Sequence, residues 1–440
     1  MEDGGLERVL RELAAVDRRR SGIAHAVVEW LAGGEGLDQI DLAGIQRFAW
    51  YELPSKWMAP ADGHAAVLEV AGELFERLGL ERYAAVFRSA ETVEILDAYG
   101  RSEQAGFKAF QAAYQRSGID PPDLDDFGWG EIMGWEEASA RHEAERALEE
   151  AIVAGDLVPG ASGWKSVAQA VTARVLNGRR PDIPVETRRD AILTERLAAW
   201  LSAVERRSTG LHALRARYVN RLLHPAPAPE DAPERLKPVA WFLARSQQGV
   251  RLTQAGYLPT AMVREGWEQF GWNLGWTDRP PRSESEVVQL HELHHLLRRL
   301  GAVRRQGSDL RLTPKGRHMT QDVETAWRTV AAGLSDGGWP RAVAETITLL
   351  ALDGVSSDRE LEARTATMLG EVGWRLDGEP PDSMSVMSAW YVTRRPLAAL
   401  GGIERAGDWT APEAHLTGFG EATLVEQIRV AATGPRSGLR

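Results

Sequence analysis

Across most of the chain, apolar residues return every three to four positions, the period of helices with one buried face. Leu6, Val9, Leu10, Leu13 and Val16 mark such a face over residues 6–16. Asp41 is placed to cap a second helix carrying Leu42, Ile45, Phe48 and Ala49, which Pro54 stops. Residues 64–78 and 81–99 predict two more helices around Leu78-Gly79-Leu80. The Gly-, Pro- and Asp-rich stretch 117–130 breaks the pattern. A long helix over about 131–154 follows, with Glu137 and Arg141 at i,i+4 spacing, then helices over 164–176 and 185–222. Pro225, Pro227, Pro229, Pro233 and Pro238 are incompatible with a helix or sheet interior, so 224–238 reads as a linker. It ends an all-helical N-terminal domain, 1–223.

After the linker the pattern changes and then repeats. Pro280-Pro281-Arg282-Ser283-Glu284-Ser285 returns as Pro380-Pro381-Asp382-Ser383-Met384-Ser385. Phe270-Gly271-Trp272 returns as Val372-Gly373-Trp374, and Leu300-Gly301-Ala302-Val303 as Leu400-Gly401-Gly402-Ile403. Leu312-Thr313-Pro314-Lys315-Gly316 returns as Leu416-Thr417-Gly418-Phe419-Gly420, the offset staying between 100 and 104 residues. A segment that recurs as a unit is expected to fold as one. The repeats are placed at 239–335 and 340–430.

Repeat one reads as helix 238–248, short strand Val250-Arg251-Leu252, helix 260–270 and helix 283–300 capped by Ser283. Two strands, 302–305 and 310–312, follow around Gln306-Gly307-Ser308-Asp309, and Leu-Thr-Pro-Lys-Gly leads into a helix to about 333. This is the order of a winged helix-turn-helix with a short β-hairpin wing. Repeat two follows the same plan, with helices 341–351, 358–371 and 383–399 and strands near 402–405 and 414–416. The fold expected is mainly α: a multi-helix N-terminal domain followed by two winged-helix-like repeats. In repeat one, Val287, Leu290, Leu293, Leu297 and Leu300 form the buried stripe of the third helix. Its other face carries His291, His295, Arg298 and Arg299, and the wing carries Arg304, Arg305, Arg311 and Lys315. In this module the third helix enters the major groove and wing cations meet phosphates.

Composition narrows the partners. Cysteine is absent, which excludes disulfides, thiol catalysis and thiolate metal sites and fits a cytoplasmic protein. No apolar run approaches a membrane span and no apolar leader is visible, so no membrane partner is expected. Net charge is −11, yet residues 235–330 hold more basic than acidic groups, an asymmetry that leaves both a nucleic-acid and a protein partner open. Among 52 basic residues the lysines are Lys56, Lys108, Lys165, Lys237 and Lys315 alone, so arginine bias inflates every basic face.

The run Leu297-Arg298-Arg299-Leu300-Gly301-Ala302-Val303, with Leu310-Arg311-Leu312-Thr313-Pro314-Lys315-Gly316, is similar to the third-helix-and-wing signature of many bacterial winged-helix proteins. The whole chain resembles a family of uncharacterised actinobacterial helical proteins with C-terminal tandem winged-helix-like modules. Trp50-Tyr51-Glu52-Leu53-Pro54, Ser117-Gly118-Ile119-Asp120-Pro121-Pro122-Asp123 and Leu252-Thr253-Gln254-Ala255-Gly256-Tyr257-Leu258 carry that resemblance, with the Leu-Thr-Pro-Lys-Gly exit. It implies a fold without an activity. Repeat two departs from the pattern, with Pro396 in its third helix and Asp408 and Glu413 about its wing turn, so DNA contact is assigned to repeat one.

Enzymatic signals are sparse. His291-Glu292-Leu293-His294-His295 spells H-E-x-x-H; on a helix the outer histidines can share a zinc ion while the Glu acts as general base. However, Arg298 stands where the extended motif has Gly, no motif marks Asp309, His318, Asp322 or Glu324 as a third ligand, and repeat two has Tyr391, Val392 and Arg395 there. The acidic turn Asp120, Asp123, Asp125 and Asp126 lacks EF-hand spacing and reads as capping. Glu136, Glu137, His142, Glu143 and Glu145 miss the di-iron spacing and read as a solvated helix face. Of the 16 tryptophans, Trp267, Trp272 and Trp276 are expected in the core. No P-loop, G-x-G-x-x-G or G-x-S-x-G is present. The reading is a non-enzymatic binding or regulatory protein without cofactor or bound metal. Repeat one is its nucleic-acid-facing module, and the N-terminal domain or repeat two takes a protein partner. The alternative is a protein–protein scaffold without DNA binding, and a further one is a zinc hydrolase on His291 and His295.

Overall fold

The computed structural model describes residues 3–33, 37, 40–57, 61–180, 186–272, 279–335, 337–406 and 413–437. The chain is mainly helical and divides into two compact units, Met1–Ile192 with Pro435–Arg440, and Leu193–Gly434. The first unit contains α1 (Asp3–Val16), α2 (Arg18–Ala32), α3 (Leu42–Arg47), a π-helical turn Phe48–Glu52, α4 (Leu53–Ser55) and α5 (Ala61–Arg77). It continues with α6 (Glu81–Arg88), α7 (Ala90–Arg101), α8 (Glu103–Ser117), α9 (Trp135–Ala154) and α10 (Trp164–Leu176). The division falls within α11 (Arg188–Glu205). The proline-rich stretch 224–238 therefore lies inside the second unit, with Ala232 and Leu236 in its core.

Caps explain where helices start. Asp41 accepts from Gly44 N at 2.7 Å and opens α3, as its position predicts. The helix expected over 81–99 is two helices because Ser89 is extended and accepts from Thr92 N, capping α7. Ser208 likewise divides the helix expected over 185–222, capping α12 (Thr209–Leu223) through Leu211 N.

The solvated face expected around Glu137–Glu145 is a correction. Glu137, Glu145 and Glu149 on α9 are buried, and each carboxylate has donors. Glu137 accepts from Gly130 N at 2.7 Å, and Glu149 accepts from Leu42 N at 2.8 Å and pairs with Arg82. The i,i+4 partner expected for Glu137 turns elsewhere: Arg141 pairs with Asp120 and with Glu145.

The second unit continues with α13 (Ala232–Arg235), α14 (Lys237–Gln247), β1 (Val250–Arg251), α15 (Thr260–Gln269), a 3₁₀ turn Glu284–Glu286 and α16 (Val288–Arg299). Next come β2 (Val303–Gln306), β3 (Asp309–Leu312), α17 (Pro314–Met319) and α18 (Val323–Ala332). The chain then forms α19 (Trp339–Leu352), α20 (Asp358–Val372), α21 (Ser383–Ala399), β4 (Ile403–Ala406), β5 (Glu413–Leu416) and α22 (Gly418–Thr433). β1, β3 and β2 form an antiparallel sheet in that spatial order, and β4 pairs with β5 antiparallel. Ser283 precedes the 3₁₀ turn rather than opening the long helix, which begins at Val288. Pro396 lies within α21 without ending it.

The recurring motifs meet in space. Thr313 donates to the carbonyl of Gly301 at 2.7 Å and accepts from Gly316 N at 3.1 Å; Thr417 does the same with Gly401 at 3.1 Å and Gly420 at 3.1 Å. Gly316 is required because a Cβ there would lie 2.2 Å from the Ala302 carbonyl oxygen, and one at Gly420 would lie 1.9 Å from that of Gly402. Equivalent helices also pack on each other, α16 along α21 and α18 along α22, with Trp327 Nε1 donating to Thr423 Oγ1 at 3.0 Å. Like meeting like is the pattern of an isologous two-fold interface, here within one chain.

Candidate nucleic-acid interface

Alternation along the β2–β3 hairpin divides its side chains. Val303 and Leu310 are buried, whereas Arg304 and Arg311 are direct cross-strand partners and both exposed. Like charges directly opposite each other cost stability unless an anion lies between or above them. β1 adds Arg251 to the same outer face, opposite Asp309. Asp309 is the carboxylate there, 3.7 Å from Arg251 and 3.3 Å from Arg311. Arg251 was missed from sequence, although the alternation Val250-Arg251-Leu252 places it facing away from the core.

A second group lies along α16 and the hairpin turn. Arg305 donates to the Gly307 carbonyl at 2.9 Å, bracing the turn. A Cβ on Gly256 would be 3.7 Å from an Arg305 terminal nitrogen, so Arg305 adjoins the turn that carries Tyr257. Tyr257, 41% exposed, has its ring 6.4 Å from that of His291, whose ring is 4.3 Å from that of His295. Arg298, one turn beyond His295, is exposed, as is Lys315 at the start of α17. Arg299 is committed elsewhere: it donates to the carbonyls of Gly333 at 3.1 Å and Leu334 at 2.8 Å.

Beneath this face Glu284 is fully buried. Its Oε2 accepts from Leu258 N at 2.7 Å, and its Oε1 lies 2.8 Å from His294 Nδ1 and 3.3 Å from His291 Nδ1. Burial acts to raise the Glu284 carboxyl pKa, but the His294 hydrogen bond and charge outweigh it and hold the group below its usual range. His295 is lowered from its usual 6.5, first by burial and then by the neighbouring His291 and His294.

The H-E-x-x-H segment does not assemble a zinc-hydrolase geometry. Glu292 is 3.6 Å from Arg395, and His291 faces Glu284. Of the third ligands considered, Asp309 pairs with arginines, Asp322 caps α18 and Glu324 accepts from Ala228 N and Arg328. Among the described residues no group of three or more His, Asp or Glu is arranged to hold a metal ion. In the acidic turn, Asp120 pairs with Arg141, Asp126 pairs with Arg189 and Asp123 accepts from Trp129 N. Trp267 and Trp272 pack against the core, while Trp276 and Asp408 lie outside the described residues.

Among the described residues no helix is long and apolar enough to cross a membrane. No protein-family model, curated protein or solved structure matches the chain.

Proposed function

We propose that the second unit binds a nucleic acid, with residues 239–335 acting as a winged helix-turn-helix whose third helix is α16 and whose wing is β2–β3. The element order α14, β1, α15, α16, β2, β3 and the strand order β1-β3-β2 support that module. The observation that carries the function is the run of exposed side chains Arg305, Tyr257, His295 and Arg298 around half-buried His291, backed by Arg251, Arg304, Arg311 and Lys315. Guanidinium groups suit phosphate oxygens, and an exposed Tyr beside imidazoles suits a sugar or base edge. Arg299, held on helix-end carbonyls, is a structural residue in this reading.

The test is fluorescence anisotropy of the full-length protein with a labelled random-sequence duplex at several salt concentrations. The expected affinity falls log-linearly with salt, with a slope of about −0.9 per phosphate contacted. Removing Arg298 and Arg304 together should flatten the slope by about two contacts. Absence of binding at low salt overturns the reading and leaves a protein-binding scaffold.

A further inference from the structure

The first unit holds a cavity of about 420 Å³ that the nucleic-acid reading does not use. Two helices supply its polar groups at helical spacing: Tyr114 comes from α8, and Arg141, His142 and Glu145 from α9. Arg47 closes it from the end of α3, and Asp120 from the turn after α8. Its apolar walls are Phe110 and Met133, with Phe110 stacked on Tyr51 at 5.5 Å between ring centroids.

Glu145 organises the charges. Buried, it accepts from Tyr114 Oη at 2.9 Å, and its oxygens lie 3.3 Å from Arg141 Nε and 3.4 Å from Arg47 Nη2. Arg141 also donates to Asp120 Oδ1 at 2.5 Å. Burying Glu145 and half-burying Asp120 and Arg141 costs desolvation that an apolar packing would avoid, so such a cluster is a poor way to gain stability. Each guanidinium has five N–H donors, and the carboxylates use only part of that capacity. The Arg47 side chain is 45% exposed, so a ligand can reach it. Burial also raises the Asp120 carboxyl, against the pull of Arg141, and holds the Tyr114 phenol well above its ordinary range. Perturbed groups converging on a cavity are the usual mark of a working site.

The sign balance selects the ligand. Two guanidinium groups face two carboxylates, so a simple anion meets Glu145 and Asp120, and a simple cation meets Arg47 and Arg141. We propose that this cavity binds a small zwitterion, an α-amino acid or dipeptide with an apolar side chain. Its carboxylate lies on the Arg47 and Arg141 donors, its ammonium on Asp120 and Glu145, and its side chain against Phe110 and Met133.

Titration calorimetry of the full-length protein tests this with L-leucine, L-phenylalanine and L-leucyl-L-leucine. N-acetyl-L-phenylalanine, L-phenylalaninamide and inorganic phosphate serve as probes lacking one or both features. Saturable binding of at least one zwitterion is expected, weakened about tenfold or more when either end is blocked, because each blocked end loses its charge-assisted contacts. Arg47→Gln should weaken it similarly. Ala138→Phe, at an exposed position lining the cavity, should abolish it by filling the space while leaving every charge in place. Circular dichroism should show both variants folded at the assay temperature, with Arg47→Gln melting lower because buried Glu145 loses one partner while keeping Arg141 and Tyr114. No heat from any zwitterion at millimolar concentration, equal binding of the N-acetyl derivative, phosphate as the sole ligand, or unchanged binding by Ala138→Phe would each overturn the proposal.

Discussion

A carboxylate taken out of water needs a partner for each oxygen, and Glu284 has them in Leu258 N and His294. Glu284→Ala leaves both buried and unpaired, so urea denaturation should show a loss of about 3 kcal/mol. Because the folded carboxyl sits below its usual value of 4.5, its contribution is complete above that pH and is lost as pH falls through the lowered folded value. Glu284→Gln should flatten that acid limb. His295 acts in the same direction, higher on the pH scale. Its folded pKa lies below 6.5, so the unfolded chain takes up the proton first and stability declines as pH falls below 6.5. A bound polyanion favours the protonated imidazole, so nucleic-acid affinity should rise over the same interval, and His295→Gln should remove that rise in anisotropy titrations. The H-E-x-x-H letters made His291 and His295 visible from sequence. The Glu284–His294 pair was not visible, since the 3₁₀ turn that swings Glu284 inward is set by packing and not by spacing.

Among elements, the repeated corner is the most legible feature. Leu-Gly-x and Leu-Thr-x-x-Gly recur because the threonine ties one motif to the other and the glycine admits a carbonyl oxygen where a Cβ would be. Gly316→Ala and Gly420→Ala should each lower stability by about 1–3 kcal/mol in thermal melts, the range for overpacking a rigid contact. An alanine at solvent-exposed Gly337, which has nothing within 4 Å of its Cβ position, serves as the control. Periodicity located most helices but not their divisions at Ser89 and Ser208, where a cap interrupts an apolar pattern that continues on either side. It also misjudged α9. A helix poor in large apolar residues looks solvated, yet buried Tyr114 and the exposed Arg47 and Arg82 on other elements reach in to pair its buried glutamates.

At the scale of the molecule, composition placed the main boundary at the prolines, whereas compactness places it within α11. Leu211, Leu214 and Leu222 of α12 belong to the core of the second unit, and Arg215 pairs with the nearly buried Glu345 at 2.7 Å. A fragment spanning 193–434 should therefore be monodisperse by size exclusion with a cooperative melt. One starting at 239 loses those leucines, strands Glu345 without its arginine, and should aggregate. Near-ultraviolet circular dichroism separates the two through the packed tryptophans.

The sequence by itself determined the helical character, the duplication and its shared corner, the order of elements after residue 238, and the exposure of the β2–β3 hairpin arginines. Each depends on short-range periodicity or on a motif with one steric solution. Tertiary structure alone decided that equivalent helices of the two segments meet, that Arg299 caps a helix end, that α9 buries its carboxylates, and that Arg47, Asp120 and Arg141 converge on one cavity. Those outcomes depend on partners tens to hundreds of residues away, which local patterning does not encode.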